Sequence, residues 1–356
     1  MALEKSVLTE DRLRGILRRY GLTMRLSRKL PLGSANCYEV RCEEGNYFLK
    51  EYQSEISRGE VEREAAVTAH LAGKNLPVAK FLKTTAGEVC TEVEGHLISV
   101  QEYVEGQTYL NDLPEELFAE SAALLGKLHA ALRDFPMEKG MDEAWIESFS
   151  PANAVAKFDA LLQVVSEANA SEDTNLSKIR EDLLYKKDLV RKLSQWKPWF
   201  AGITYTPSHG DYTACQLVWE GNRIKAVIDF SAAKSLPSVW EIMRSYIQSG
   251  GACKGGAPFD TADFVSYVRE YMKYAPLTKR DLAAMPYIYL FQLSRSSYGY
   301  KEYLVIRTEN RDALLSFAHW RTEICREIER KAEEISRVCQ ERLGSICGIE
   351  SAEEVL

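Results

Sequence analysis

Three oxygen-bearing side chains, Asp211, Gln216 and Asp229, fall within the stretch SHGDYTACQLVWEGNRIKAVIDF, which runs from Ser208 to Phe230. His209, Gly210 and Asp211 make a turn after TYTP, and two short apolar runs, QLVW and KAVID, flank the turn EGN. If the runs pair as a hairpin, Gln216 at the start of the first and Asp229 at the end of the second meet at one end, with Asp211 in the loop beside them. Taken singly, Asp211 reads as a turn residue and Asp229 as a strand-end cap. Together they bring two oxygen ligands and a free carboxylate to one mouth. Magnesium takes hard oxygen donors and keeps several waters, so a carboxylate and a carboxamide oxygen beside a nucleotide's phosphates suffice to hold it. The remaining aspartate can orient a hydroxyl and accept its proton. The chemistry that such a set serves is phosphoryl transfer.

The surrounding chain must position these groups. Thr9 is a plausible cap for a helix over 9–21, with Leu13, Ile16, Leu17 and Tyr20 at helical spacing and Gly21 as its stop. From Ser27 to Tyr52 the pattern turns strand-like, and residues 58–71 read as a helix with Val61, Ala65 and Ala69 on one face. Strand character returns through GEVCTEV and HLISVQEYV. Beyond EGQTY the leucines from Leu117 to Leu132 mark a strong helix, residues 153–196 hold two more, and the chain after the hairpin is mostly helical. The fold class expected is α+β and bilobal: a β-rich lobe with one helix inserted, residues 1–103, and a larger, mainly helical lobe, residues 104–356. A cleft between lobes is a preferred place for a ligand.

Composition narrows the class. At 356 residues the chain is long for a single core, and 46% hydrophobic with 27% charged residues is ordinary for a folded protein. The net charge of -7 and the absence of a long basic run argue against a nucleic-acid partner. Eight cysteines are scattered with no two-residue spacing, which suits reduced thiols. The start, MALEKSVLTEDRLRGIL, lacks the apolar stretch of a signal peptide, and no segment reaches the length of a membrane span; a cytoplasmic protein is expected.

HGDYTACQ followed by IDF resembles the catalytic and metal-binding motifs of the aminoglycoside phosphotransferase and choline kinase superfamily, with its homoserine kinase type II branch, the small-molecule relatives of protein kinases. The resemblance implies a protein-kinase-like fold, with Asp211 as catalytic base, His209 as a brace for its loop, Gln216 and Asp229 as magnesium ligands, and ATP or GTP as phosphate donor. Gln216 departs from the usual Asn, and offers the same oxygen on a stem longer by roughly 1.5 Å. Lys50, ending YFLK, and Glu64, in EREAA, then form the bridge that positions the α- and β-phosphates. Glu62 is the rival partner; Glu64 aligns with the family's Arg-Glu-Ala pattern. Gly33 and Ser34 in PLGSAN would let backbone N–H groups approach the phosphates. Glu102 and Val104 in the crossover ISVQEYVEG would offer a backbone C=O and N–H to the base. His129 in LLGKLHAAL reads as a structural histidine, and Glu241 as a residue that fixes the catalytic loop.

The resemblance implies a hydroxyl of a small molecule as acceptor, read by the helical lobe. Arg244, and Arg295 and Tyr298 in a helix over Leu290 to Leu304, are the candidates there. An acid-lined pocket would suit an aminoglycoside, an aromatic cage choline, and a basic group homoserine or a phosphorylated sugar. Two other classes stand beside the small-molecule kinase. One is a non-catalytic structural or binding protein of the same fold, like some spore-coat proteins; the other is a protein serine/threonine kinase. The sequence leaves the oligomeric state open.

Overall fold

The structure, a computed structural model, describes residues 4–31, 35–137, 150–168, 173–251 and 258–347. The chain forms two compact units, each drawn from separate stretches.

The first unit comprises Met1–Leu110, Ala130–Pro136 and His209–Ala233, so it includes the hairpin stretch together with the N-terminal elements. Helix α1 (Glu10–Arg19) starts at Thr9, whose hydroxyl accepts from the Arg12 N–H. It lays Leu13, Ile16 and Leu17 against Tyr38, Val40, Leu49, Ile98 and Val100 of the sheet. That sheet is antiparallel, in the order β1-β2-β3-β5-β4, with β1 Met24–Leu30, β2 Asn36–Cys42, β3 Asn46–Glu51, β4 Cys90–Val93 and β5 His96–Glu102. Helix α2 (Arg58–Gly73) opens on a capping box between Ser57 and Glu60. Successive side chains of a strand point to opposite faces. Leu49 enters the core under α1, and its neighbour Lys50 is therefore turned the other way, where it meets α2.

The hairpin forms as expected. Strands β7 (Leu217–Glu220) and β8 (Arg223–Val227) pair antiparallel with Leu217 opposite Val227. Backbone bonds tie it into the unit: Val227 N–H donates to the Pro77 carbonyl at 2.9 Å, and Gln107 and Trp219 exchange bonds of 2.9 and 2.8 Å. One detail differs from the sequence reading, in which Asp229 ends the strand. β8 stops at Val227, and Asp229 takes a left-handed conformation, φ 60° and ψ 68°, before the short 3-10 turn Phe230–Ala232. An L-residue with a side chain rarely adopts that region, although Asp tolerates it better than most.

The second unit comprises Asn111–His129, Met137–Ser208 and Lys234–Leu356. Its helices are α3 (Phe118–Leu132, to His129), α4 (Pro151–Glu167), α5 (Leu176–Leu193), α6 (Ser238–Tyr246), α7 (Thr261–Met272), α8 (Lys279–Ser294) and α9 (Arg311–Leu343). Strands β6 (Tyr205–Ser208) and β9 (Lys234–Pro237) pair beside them. The continuous helix expected from Leu290 to Leu304 does not form. α8 ends at Ser294 with Arg295 as its cap, and a π-turn follows only at Glu302–Ile306. Gly299 explains the break: its φ is +92°, and a Cβ there would stand 2.4 Å from the Leu314 carbonyl oxygen. His129 is buried with both ring nitrogens engaged, Nδ1 with the Tyr271 hydroxyl at 2.7 Å and Nε2 with Glu241 at 2.8 Å.

Candidate active site

Glu64 lies on the stripe of α2 that also carries Val61, Ala65, Thr68 and Leu71, all buried, whereas Glu62 is exposed. An acid in an apolar stripe needs a partner. Lys50 Nζ is 3.5 Å from Glu64 Oε1, and the Tyr52 hydroxyl donates to Glu64 Oε2 at 2.9 Å. Tyr52 lies two residues past Lys50, on the same side of the extended chain, and its ring sits 4.9 Å from the ammonium. The nearer partner of Lys50 is Asp229, whose Oδ1 lies 2.7 Å away and also accepts from the Ser231 hydroxyl at 2.7 Å.

One ammonium thus stands between two carboxylates in a nearly dry place. Burial alone would lower the Lys50 pKa, but Asp229 and Glu64 overcome it and raise it above the ordinary lysine value. Burial would likewise raise the Asp229 carboxyl; the charge and hydrogen bond of Lys50, the Ser231 hydroxyl and His209 hold it at about 2. Glu64 goes the other way, pushed up by burial against the pull of Lys50. Asp229 is therefore a permanent anion, with 35% of its side chain open to solvent.

The turn before the hairpin is fixed from within. Gly210 has φ 82°, and a Cβ on it would come within 2.0 Å of the Ala232 carbonyl oxygen, so only glycine lets the Asp211 loop close on the Asp229 turn. His209 is buried at 1% exposure. Its Nδ1 accepts from the Asp211 N–H at 3.2 Å, which leaves Nε2 as the donor to the Ile228 carbonyl at 2.9 Å. One imidazole thus links the loop of Asp211 to the residue before Asp229. Gln216 is placed by its carbonyl, which accepts from the Ile228 N–H at 3.0 Å, and its Nε2 reaches Asp211 Oδ2 at 3.5 Å. Asp211 and Gln216 thus meet through their side chains, and backbone bonds tie both to Ile228, the residue before Asp229.

Among the described residues no group of three or more His, Cys, Asp or Glu is gathered to hold a metal ion. A divalent ion held here would draw on the amide oxygen of Gln216 and a carboxylate oxygen of Asp229, hard donors of the kind that suits magnesium.

The other expected residues are distributed as follows. Gly33 and Ser34 lie outside the described residues. Glu102 closes β5, its N–H donating to the Lys80 carbonyl at 2.9 Å, and Val104 follows just past the sheet. Arg244, Arg295 and Tyr298 belong to the second unit. Arg295 and Tyr298 line a cavity of about 500 Å³ there, with Lys157, Gln292 and Glu302, while Arg244 stacks over Trp240 at 5.6 Å and is not part of its lining. Tyr52 and Ser231, which contact Glu64 and Asp229, are residues the motifs do not mark.

These features place the chain among phosphotransferases of the kinase-like type. The profile described as phosphotransferase enzyme family (APH) matches residues 28–251, well over half of the chain, and the chain belongs to that family. The homoserine kinase of Zymomonas mobilis subsp. mobilis is 25% identical over 59% of this chain and 60% of its own length. That of Methylorubrum populi is 29% identical over 42% of this chain and 48% of its own. The chain thus spans about half to three-fifths of the curated relatives it matches. A spectinomycin phosphotransferase solved with ADP and spectinomycin superposes with a TM-score of 0.63 at 15% identity, covering 94% of this chain and 100% of that one. An aminoglycoside phosphotransferase from Alicyclobacillus acidocaldarius gives 0.63 at 15% identity, covering 93% and 98%. An amicoumacin kinase solved with AMP-PNP and Ca2+ gives 0.61 at 17%, covering 90% and 95%. At these identities the likeness shows the fold, the α+β kinase-like fold expected from the sequence.

Proposed function

We propose that the chain is a small-molecule kinase that transfers the γ-phosphate of ATP or GTP to a hydroxyl of a small metabolite. The observation that carries this reading is Lys50, held between Glu64 and Asp229 at 3.5 and 2.7 Å. A buried lysine braced by a helix glutamate is placed to grip α- and β-phosphates. Residues 1–103 hold the nucleotide, with Glu102 and Val104 at the base and Gly33 and Ser34 at the phosphates, and residues 104–356 hold the acceptor. Gln216 and Asp229 hold magnesium, which when bound neutralises charge on the transferring phosphoryl group. Asp211 accepts the proton of the attacking hydroxyl, and His209 keeps its loop in register with the Asp229 turn. The curated relatives are homoserine kinases, which favours a small amino alcohol or hydroxy amino acid among the acceptors.

The test is a nucleotide-consumption screen on the purified chain with magnesium, against amino alcohols, hydroxy amino acids, sugars, aminoglycosides and choline analogues. Acceptor-dependent release of nucleoside diphosphate is expected with at least one class. Transfer to peptides alone would instead favour a protein kinase. The amide at position 216 favours a second reading, a non-catalytic protein that keeps the fold. The absence of any heat or thermal shift with nucleotide and magnesium would favour that reading.

A further inference from the structure

The two oxygens of Asp229 have different surroundings. Oδ1 accepts from two donors, Lys50 Nζ and the Ser231 hydroxyl, each at 2.7 Å. Among the described residues no donor reaches Oδ2, and 35% of the side chain is open to solvent. An ionised carboxylate only accepts, and each of its oxygens has room for more than one partner. With Oδ1 already holding two, Oδ2 is the oxygen left for a ligand.

The two donors are not equivalent. Lys50 comes from β3, 179 positions away, and is placed to grip a nucleotide's phosphates, so a bound nucleotide competes with Asp229 for it. Ser231 stands only two residues on. The left-handed conformation of Asp229, φ 60° and ψ 68°, leads into the 3-10 turn Phe230–Ala232, and within that turn the Ser231 hydroxyl reaches back to the carboxylate. Whatever Lys50 does, this donor travels with its acceptor. The turn itself does not need the hydroxyl. It closes through the Ala233 N–H on the Phe230 carbonyl at 3.0 Å, Phe230 is buried and packs on His209 at 4.5 Å, and the Ala232 carbonyl lies against Gly210. Ser231 is exposed, and among the described residues Asp229 is its only side-chain hydrogen-bond partner.

We propose that Ser231 is a positioning residue for the metal site: by holding Oδ1 of Asp229 it leaves Oδ2 as the one oxygen that Asp229 offers to a divalent cation, and keeps it so when Lys50 is drawn to phosphate. Partners that hydrogen-bond a ligating carboxylate fix its orientation and thereby the affinity for the metal. The role rests on the kinase reading above and gives that site a residue outside its motif.

The full chain with ADP is titrated with Mn2+ as the probe for magnesium, and free Mn2+ is read by electron paramagnetic resonance, corrected for the Mn2+ that ADP holds alone. Wild type, Ser231→Ala and Ser231→Thr are compared. Ser231→Ala should bind Mn2+ about tenfold more weakly, the low end of the loss when a group that orients a metal ligand is removed. Ser231→Thr keeps the hydroxyl and should bind Mn2+ like wild type. ADP binding without metal and the melting temperature should match wild type in both variants, because Lys50 and the anchors of the turn are untouched. Equal Mn2+ affinity in wild type and Ser231→Ala overturns the proposal, as does a loss that Ser231→Thr shares, which would mark the shape of the turn rather than the hydroxyl; both results leave the kinase reading standing. Wild type that binds ADP but no Mn2+ overturns both. Mn2+ binding that depends on the hydroxyl, in a chain that transfers phosphate to no acceptor, supports the role of Ser231 and removes the kinase reading alone.

Discussion

Lys50 Nζ stands 2.7 Å from Asp229 Oδ1, an ion pair that joins residues 179 positions apart in the chain. The same ammonium is the only cation between Asp229 and Glu64 for which the described residues give a contact. In wild type the Asp229 carboxyl titrates at about 2, below the roughly 3.9 of an unfolded aspartate. The stabilisation it carries is thus complete above about pH 4 and is lost as the pH falls towards 2. Lys50→Met reverses the sign. Two carboxylates are left facing each other without a cation, their pKa values rise, and the variant loses stability as the pH climbs through them. Relative to wild type, its urea midpoint should be lower at pH 7.5 than at pH 5, and its nucleotide affinity should fall by about tenfold to a hundredfold. An unchanged difference between the two pH values would show that the pair is not coupled as described.

Gln216 is expected to act through its amide oxygen. Gln216→Ala should raise the magnesium concentration for half-maximal turnover by about tenfold, a loss typical of groups that orient or tune a metal, while nucleotide binding measured without metal stays unchanged. Gln216→Glu keeps the reach and adds a charge, so it should need less magnesium than the alanine variant. Equal magnesium dependence in all three proteins, followed by steady-state kinetics, would remove Gln216 from the metal site.

Gly210→Ala places a methyl group within 2.0 Å of the Ala232 carbonyl oxygen at a residue with φ 82°. The left-handed conformation alone costs an alanine about 1–2 kcal/mol, and the clash adds to it, for a total of roughly 2–4 kcal/mol. Denaturant unfolding measures the loss directly. Because the clash separates the Asp211 loop from the Asp229 turn, turnover should drop further than the population of unfolded protein accounts for. Gly15, whose added Cβ meets nothing within 4 Å, gives the matched control.

Much of this site was legible in the sequence because its spacing follows strand and helix periods. Gln216 comes to lie beside Ile228, one residue before Asp229, because two apolar runs around a tight EGN turn pair as β7 and β8. The choice between Glu62 and Glu64 could have been made from helical period alone, since Glu64 falls on the stripe of Val61, Thr68 and Leu71 and Glu62 does not. Tyr52 was within reach of the same logic, two residues from Lys50. The left-handed turn at Asp229 was not, because no neighbouring glycine marks it and its cause is the meeting of distant segments. The helix expected over Leu290 to Leu304 failed for a similar reason: Gly299 is required by the approach of Leu314 and Ala318, residues of another helix.

The account stands most directly on Asp211. Asp211→Asn keeps the size of the side chain and its place beside Gln216 but cannot take a proton from a hydroxyl. Acceptor-dependent turnover should fall by about a hundredfold to ten-thousandfold, with binding of nucleotide and magnesium, measured by calorimetry, close to wild type. Full turnover in Asp211→Asn would contradict the assignment of the base and, with it, the mechanism built on this hairpin.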